Sequence, residues 1–257
     1  MSRTKSSPKA STKPKANREI QNLQRLLDES IVLYHQSSLS KTIFSTLRYK
    51  QRTPINNVIS LGLGSLTSQD QSRRIKQLTI FLAISEELES LSKTSIKLYA
   101  QDPTFTKIDE AFLQSLGINI LRTPSPSMLG EAEHYISEKS LVYSPFLTIQ
   151  AYQSLFNSSP MGMLIGDDFN ALNLKFSKFT EDYEDVDRLV RHELVKYQRR
   201  SLVQDSKVDP SFWDKEDKMF PMALYRREAR ISSSQRPIHP VRQGSGYGLE
   251  KTISARL

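Results

Sequence analysis

Three short stretches hold residue types and spacings with chemical potential: Gly62-Leu63-Gly64-Ser65, Asp102-Pro103 and Gly166-Asp167-Asp168. Two glycines one residue apart, directly after the apolar run Val58-Ile59-Ser60-Leu61, allow a tight turn whose backbone N–H groups face a ligand. A helix following such a turn adds its positive end, and phosphates or carboxylates bind at such places. The dinucleotide fingerprint needs a third small residue three positions after the second Gly, and Thr67 stands there. A turn that binds nothing is the equal alternative. Asp102 follows an alternating apolar stretch, a position from which an acid can take ribose hydroxyls; the alternative is an Asp-Pro turn cap. Asp167 and Asp168 offer a metal ligand pair or a base, or else one caps a helix and the other is solvated. Arg73 and Arg74, near the start of the helix after the glycine turn, supplement an anion site or stay in solvent.

These groups act together only if the chain carries them to one edge of a sheet. The pattern of apolar residues gives five strands, ending near Leu61, at residues 96–100, 118–121 and 140–144, and at residues 161–165. Between them lie helical patterns at residues 69–91, with Ser68 and Gln71 in the form of a capping box, at 107–116, closed by Gly117, around 130–137, and at 148–157. Alternating strands and helices imply a mainly parallel, five-stranded Rossmann-like sheet with helices on both faces, an α/β fold with tails. In open α/β sheets ligands sit beyond the carboxyl ends of the strands. Gly62, Leu63, Gly64, Ser65, Asp102, Gly166 and Asp167 all fall at that edge and form the candidate binding set.

Outside this core, residues 1–16 are Ser, Thr, Lys and Pro with almost nothing to bury, the composition of a disordered basic tail. Residues 17–56 hold a helix with the stripe Ile20, Leu23, Leu27, Ile31 and Tyr34, then a Ser- and base-rich connection. Residues 171–236 read as a helical extension packing on the core at 57–170. Its main helix is expected at 180–200, with acids first and bases last to match the helix dipole. Residues 237–257 read as a flexible tail.

The chain has 257 residues, a formal net charge of +8 and no cysteine. Disulfides, thiolate zinc sites and a cysteine nucleophile are excluded, which fits a reducing compartment, cytoplasmic or nuclear. No apolar stretch has the length of a membrane span. Residues 1–18 carry 6 Lys/Arg and no acid, and residues 226–257 carry 7 against 2 acids. Residues 19–225 then carry 23 bases and 26 acids, so the basicity belongs to the ends and gives little support for a nucleic-acid-binding core. Glu131-x-x-His134 has the spacing of half a carboxylate-bridged metal site without a second copy. The Gly-x-Ser-x-Gly elbow and the phosphate-binding loop with its lysine are both missing.

In order, Leu61-Gly62-Leu63-Gly64-Ser65, Gln77-Leu78, Asp102-Pro103-x-Phe105 and Ile165-Gly166-Asp167-Asp168-Phe169 resemble the Sensitivity To Red Light Reduced (SRR-like) domain family, over about residues 57–170. The resemblance implies an α/β domain of eukaryotic regulatory proteins, implicated in circadian and light signalling in plants, with no catalytic mechanism attached. Where family members often carry Pro-His-Cys, this chain has Pro145-Phe146-Leu147, and Gly166-Asp167 replaces the common Gly-Asn. Chemistry that used that His or Cys is not carried over.

Two readings follow. The first is a non-catalytic regulatory protein with protein partners and room for a small anionic or nucleotide-like ligand. The second is an enzyme of methyltransferase type, holding a nucleotide-like or S-adenosylmethionine cofactor at Gly62, Gly64 and Asp102. Without a recognisable acid, base and nucleophile set the first is preferred, and the cofactor stays unidentified.

Overall fold

The structure, a computed structural model, describes residues 13–49, 54–123, 128–158, 160–202, 212–213 and 221–227. Helices α1 (Lys13–Gln36) and α2 (Ser38–Arg48) lead into β1 (Asn57–Leu61), α3 (Gln71–Ser92), β2 (Lys97–Gln101), α4 (Lys107–Ser115) and β3 (Ile118–Leu121). A 3₁₀ turn (Gly130–His134) precedes β4 (Ser140–Ser144), α5 (Ile149–Ser158), β5 (Met163–Asp167), α6 (Phe169–Lys175) and α7 (Glu181–Arg188). The last elements among the described residues are β6 (Tyr197–Ser201) and β7 (Met222–Arg227).

Among the described residues one sheet takes all seven strands, in the order β3-β2-β1-β4-β5-β7-β6. β1 to β5 are parallel, while β7 runs antiparallel between β5 and β6. The mainly parallel α/β reading holds, and the strand count is corrected from five to seven. Strand order reverses at β1, which has β2 on one side and β4 on the other. Crossovers therefore leave β1 and β4 toward opposite faces and open a crevice between their carboxyl ends.

Each face of the sheet has its own core. Leu23, Leu27 and Tyr34 of α1, Ile43 of α2, Phe81 and Ile84 of α3 and Phe112 of α4 pack on Val58, Ala100, Tyr143 and Ile165. On the other face Tyr152 and Leu155 of α5, Phe169 of α6 and Val186 of α7 pack on Ile59, Tyr99, Val142 and Leu164. The period-two alternation of β1 and β4 is what separates the two sets.

Several local expectations change. Residues 37–57, read as a connection, contain α2, capped by Ser37, whose Oγ accepts from the Ser40 N–H at 3.1 Å. Helix α1 begins at Lys13, inside the stretch read as a tail, whereas residues 1–12 and 228–257, with nearly all of both expected tails, lie outside the described residues. Helix α3 starts at Gln71 with no capping box at Ser68, because the Gln71 side chain instead donates to the Leu66 carbonyl at 2.8 Å.

The largest change falls at residues 180–200. Helix α7 stops at Arg188, and a π turn (Leu189–Glu193) and a 3₁₀ turn (Leu194–Lys196) lead into β6. The helical spacing of Val186, Val190 and Leu194 runs into a strand whose own sequence, Tyr-Gln-Arg-Arg-Ser, carries no hydrophobic alternation. Only the partner strand, far along the chain, makes 197–201 a strand. Once there, Arg199 of β6 forms a bidentate ion pair with the buried Asp168, through Nε at 2.8 Å and through Nη2. Arg226 of β7 reaches across to donate to the carbonyls of Thr46 and Leu47, and to Tyr49, at the end of α2. It thereby satisfies acceptors that a helix terminus leaves open.

The extension is thus part of the sheet. A chain ending at residue 170 leaves the buried β5 edge unpaired and Asp168 without its cation, so we predict aggregation or loss of a cooperative thermal transition. A chain ending at residue 236 should melt cooperatively, near the temperature of the full chain. Cooperative unfolding of the 170-residue form, followed by circular dichroism, would count against this pairing.

Candidate functional site

The turn after β1 has glycines at positions where φ is positive, +74° at Gly62 and +75° at Gly64, a region other residues enter only with strain. A Cβ at Gly64 would also stand 2.5 Å from Arg74 Nε, and one at Gly62 would stand 2.6 Å from Leu147 Cδ2. Both glycines are therefore fixed by conformation and by close approach.

Four backbone N–H groups of this turn already have acceptors within the protein. Gly62 donates to the Gln101 carbonyl at 3.1 Å, Gly64 to Asp102 Oδ2 at 2.7 Å, and Ser65 to Thr104 Oγ1 at 3.1 Å. Leu66 donates to Asp109 Oδ1 at 3.0 Å. The phosphate cradle expected from the glycines is replaced by two internal carboxylates, each acting as a built-in anion.

Asp109 was not singled out from the sequence. It is fully buried at the third position of α4 and closes a capping box with Thr106. Its Oδ2 accepts from the Thr106 N–H at 2.7 Å, the Thr106 hydroxyl at 2.9 Å and the Ser65 hydroxyl at 2.8 Å. Thr106-x-x-Asp109 was the available signal, as a capping pattern; the long-range bonds to Ser65 and Leu66 leave no mark in sequence.

Between the ends of β1, β2 and β4 lies a cavity of about 270 Å³. Gly62, Gly64 and Asp102 line it, with Arg74, Gln101 and Thr104 as further polar groups. Leu61, Met128, Leu129, Phe146 and Leu147 supply apolar wall, and Met128 and Phe146 form exposed lips, 57% and 38% accessible. Gln101 is tied down on both ends, donating to the Leu129 carbonyl at 2.6 Å and accepting from the Ala132 N–H at 3.0 Å. It fixes the far wall to the end of β2.

Of the other candidates, Leu63 is buried in the core and Ser65 turns toward Asp109; neither lines the cavity. Gly166 and Asp167 stand behind the wall rather than in it. A Cβ at Gly166 would approach the Tyr152 hydroxyl to 2.8 Å, so this glycine makes room for Tyr152, which donates to the Ser144 carbonyl and accepts from the Asp167 N–H. The Asp167 carboxylate accepts from the Phe146 N–H at 3.1 Å and lies 3.2 Å from the Tyr152 hydroxyl. Phe146 itself has φ +68°, a conformation that costs a non-glycine residue of order 1 kcal/mol or more, and Asp167 holds it there as a lip of the cavity. Asp168 is an N-cap for α6 and the partner of Arg199. Among the described residues no group of three or more His, Asp or Glu side chains is placed to hold a metal, and no helix is long and apolar enough to cross a membrane.

Burial pushes the Asp167 carboxyl up to about 6 from an ordinary 3.8, with the bonds from Phe146 and Tyr152 pulling the other way. A carboxyl raised by folding contributes stability that is complete below the ordinary range and lost as pH rises through about 6. A displacement of that size corresponds to roughly 3 kcal/mol. Denaturant unfolding from pH 4 to 7 should therefore show the Asp167→Asn variant gaining on the parent chain as pH rises, by up to about that amount. Parallel profiles for the two proteins would contradict the assignment. Asp109→Ala leaves several donors unsatisfied in a buried place and should cost roughly 3–4 kcal/mol; a loss under about 1 kcal/mol would show that the turn does not depend on it.

The model of the SRR1 domain matches residues 23–216. No curated protein sequence matches significantly. Among solved structures, a Methanococcus maripaludis protein whose name proposes it as an S-adenosyl-L-methionine-dependent methyltransferase is similar at TM-score 0.41 and 11% identity, over 89% of this chain and 100% of that one. Thermoplasma acidophilum 1320 is similar at 0.37 and 10%, over 79% and 98%. The 23S rRNA methyltransferase ErmE is similar at 0.37 and 12%, over 74% and 68%. The family match spans most of the chain, from α1 through the glycine turn and the crevice to β6, and this protein belongs to the SRR1 domain family.

Proposed function

We propose that this protein is a regulatory member of its family whose crevice binds a nucleoside-type small molecule and whose bound state is read by protein partners. The observation that carries this is the state of Asp102. Its Oδ1 accepts from the Thr104 N–H at 2.8 Å and the Thr104 hydroxyl at 2.5 Å, and its Oδ2 accepts from Gly64. A carboxylate offers about four lone-pair sites, so the fixed group keeps capacity on Oδ2 for one more donor. It selects a hydroxyl or N–H and repels an anion. The apolar wall of Leu61, Leu129 and Leu147, with Met128 and Phe146 as lips, offers a flat ring the surface it needs. The cavity volume stands at the small end of ligand pockets, suited to one nucleoside rather than a dinucleotide.

Methyl transfer from an S-adenosyl compound shares this crevice, since the same acid beside the same glycine turn would take the ribose. It differs in leaving a methylated product, so mass spectrometry of candidate partners after incubation with the donor separates the two readings.

The direct test is thermal unfolding of the full chain with the four ribonucleosides, a 2′,3′-dideoxynucleoside and inorganic phosphate. A ligand at a hundred times its Kd stabilises by about 2.7 kcal/mol. We expect at least one ribonucleoside to raise Tm, with the dideoxynucleoside and phosphate inactive and the response lost in Asp102→Asn. Stabilisation by phosphate alone, or an undiminished response in the variant, would refute the reading.

A further inference from the structure

Resting on that reading of the crevice, a second charged group there narrows the ligand class. Arg74 lines the same cavity as Asp102, and both flank one residue, Gly64. Asp102 holds its N–H, and the Arg74 Nε lies against the face where a side chain would be, 2.5 Å from an added Cβ. Acid and guanidinium nonetheless form no ion pair. The hydrogen bond of the Arg74 guanidinium is a long one, from Nη1 to Gln77 Oε1 at 3.3 Å, and its Nε is buried without an acceptor. Gln77 is in the same condition: it is 1% exposed, and its Nε2 has no acceptor. Two buried donors left open side by side are costly, and a native structure keeps such groups for a reason. A guanidinium matches the planar geometry of a carboxylate or phosphate.

We infer that the crevice takes a nucleoside bearing an acidic group, with Arg74 receiving the acid while Asp102 receives the sugar hydroxyl. Because the two side chains flank one glycine, the acid sits within one sugar's length of the hydroxyl, as a 5′ substituent does. The attraction expected at the turn backbone is thereby moved to a side chain. Gln77, through its Oε1, orients the guanidinium and is a positioning residue. The requirement for Gly64 also gains a second cause, since any side chain there displaces Arg74.

The test uses the full chain and calorimetric titration with adenosine, adenosine-5′-carboxylate and adenosine 5′-monophosphate. The acidic pair is expected to bind about tenfold or more tighter than adenosine, the size of one hydrogen bond to a charged group, with an advantage that shrinks as ionic strength rises. In Arg74→Gln the three affinities converge, and Arg74→Lys restores part of the difference; melting of each ligand-free variant reports separately on folding. Preference for the carboxylate or for the monophosphate identifies which acid the site accepts. If adenosine binds the parent chain as tightly as either acid, or if Arg74→Gln weakens all three equally, the inference falls while the nucleoside reading stands. If none of the three binds, the inference falls, and the nucleoside reading falls with it when the other ribonucleosides also leave Tm unchanged.

Discussion

Two carboxylates hold the turn that leaves β1, and the form of the crevice depends on them. Asp102, just past the end of β2, takes the Gly64 N–H, and Asp109, on the first turn of α4, takes Leu66 and the Ser65 hydroxyl. Together they tie the β1–α3 turn, the β2–α4 loop and the start of α4 into one hydrogen-bonded unit. The anions at this turn are carboxylates of the chain itself, and the crevice carries a fixed acid beside a guanidinium that bonds to Gln77 and pairs with no acid.

The opposite wall follows the same logic by different means. Asp167 is buried, and its bond to the Phe146 N–H holds Phe146 in a left-handed conformation as a lip of the cavity. Tyr152 braces that arrangement from the second core, and Gly166 leaves it the space to do so. The edge strands contribute from further away: Tyr225 of β7 accepts from the Phe169 N–H at 2.9 Å and its hydroxyl reaches the Asp167 carbonyl. The final strands therefore support the end of β5 from which the wall is built.

Much of the core was legible in sequence because it is encoded locally. β1 and β4 show apolar runs ended by Gly62 and Pro145, β3 follows directly on Gly117, and the intervening helices are long enough to be read by period. Gly62, Gly64 and Asp102 could be placed at one edge because parallel strands bring their carboxyl ends together whatever their pairing partners. What could not be read is encoded non-locally. β6 is a strand only because β7 pairs with it, and its Arg199, itself exposed, reaches the buried Asp168 as an ion-pair partner. The four-residue run Met222-Ala223-Leu224-Tyr225 after Pro221 was the available sign of β7. Asp109 likewise reads as a helix cap in sequence, and its role at the turn depends on a contact 43 residues distant. An open anion cradle at the glycines and a turn that binds nothing are equal readings of the sequence, because the acceptors the fold brings to those donors, Asp102 and Asp109, are not visible in it.

The account stands most directly on the backbone amides of the turn, and amide hydrogen exchange with two-dimensional NMR reads them one by one. The Gly64 and Leu66 amides should be strongly protected in the ligand-free protein and unmoved by inorganic phosphate, while a bound ribonucleoside shifts Gly64 through Asp102. Rapid exchange at Gly64 in the free protein, with protection appearing on addition of phosphate, would show that these donors are open to anions and would contradict the account.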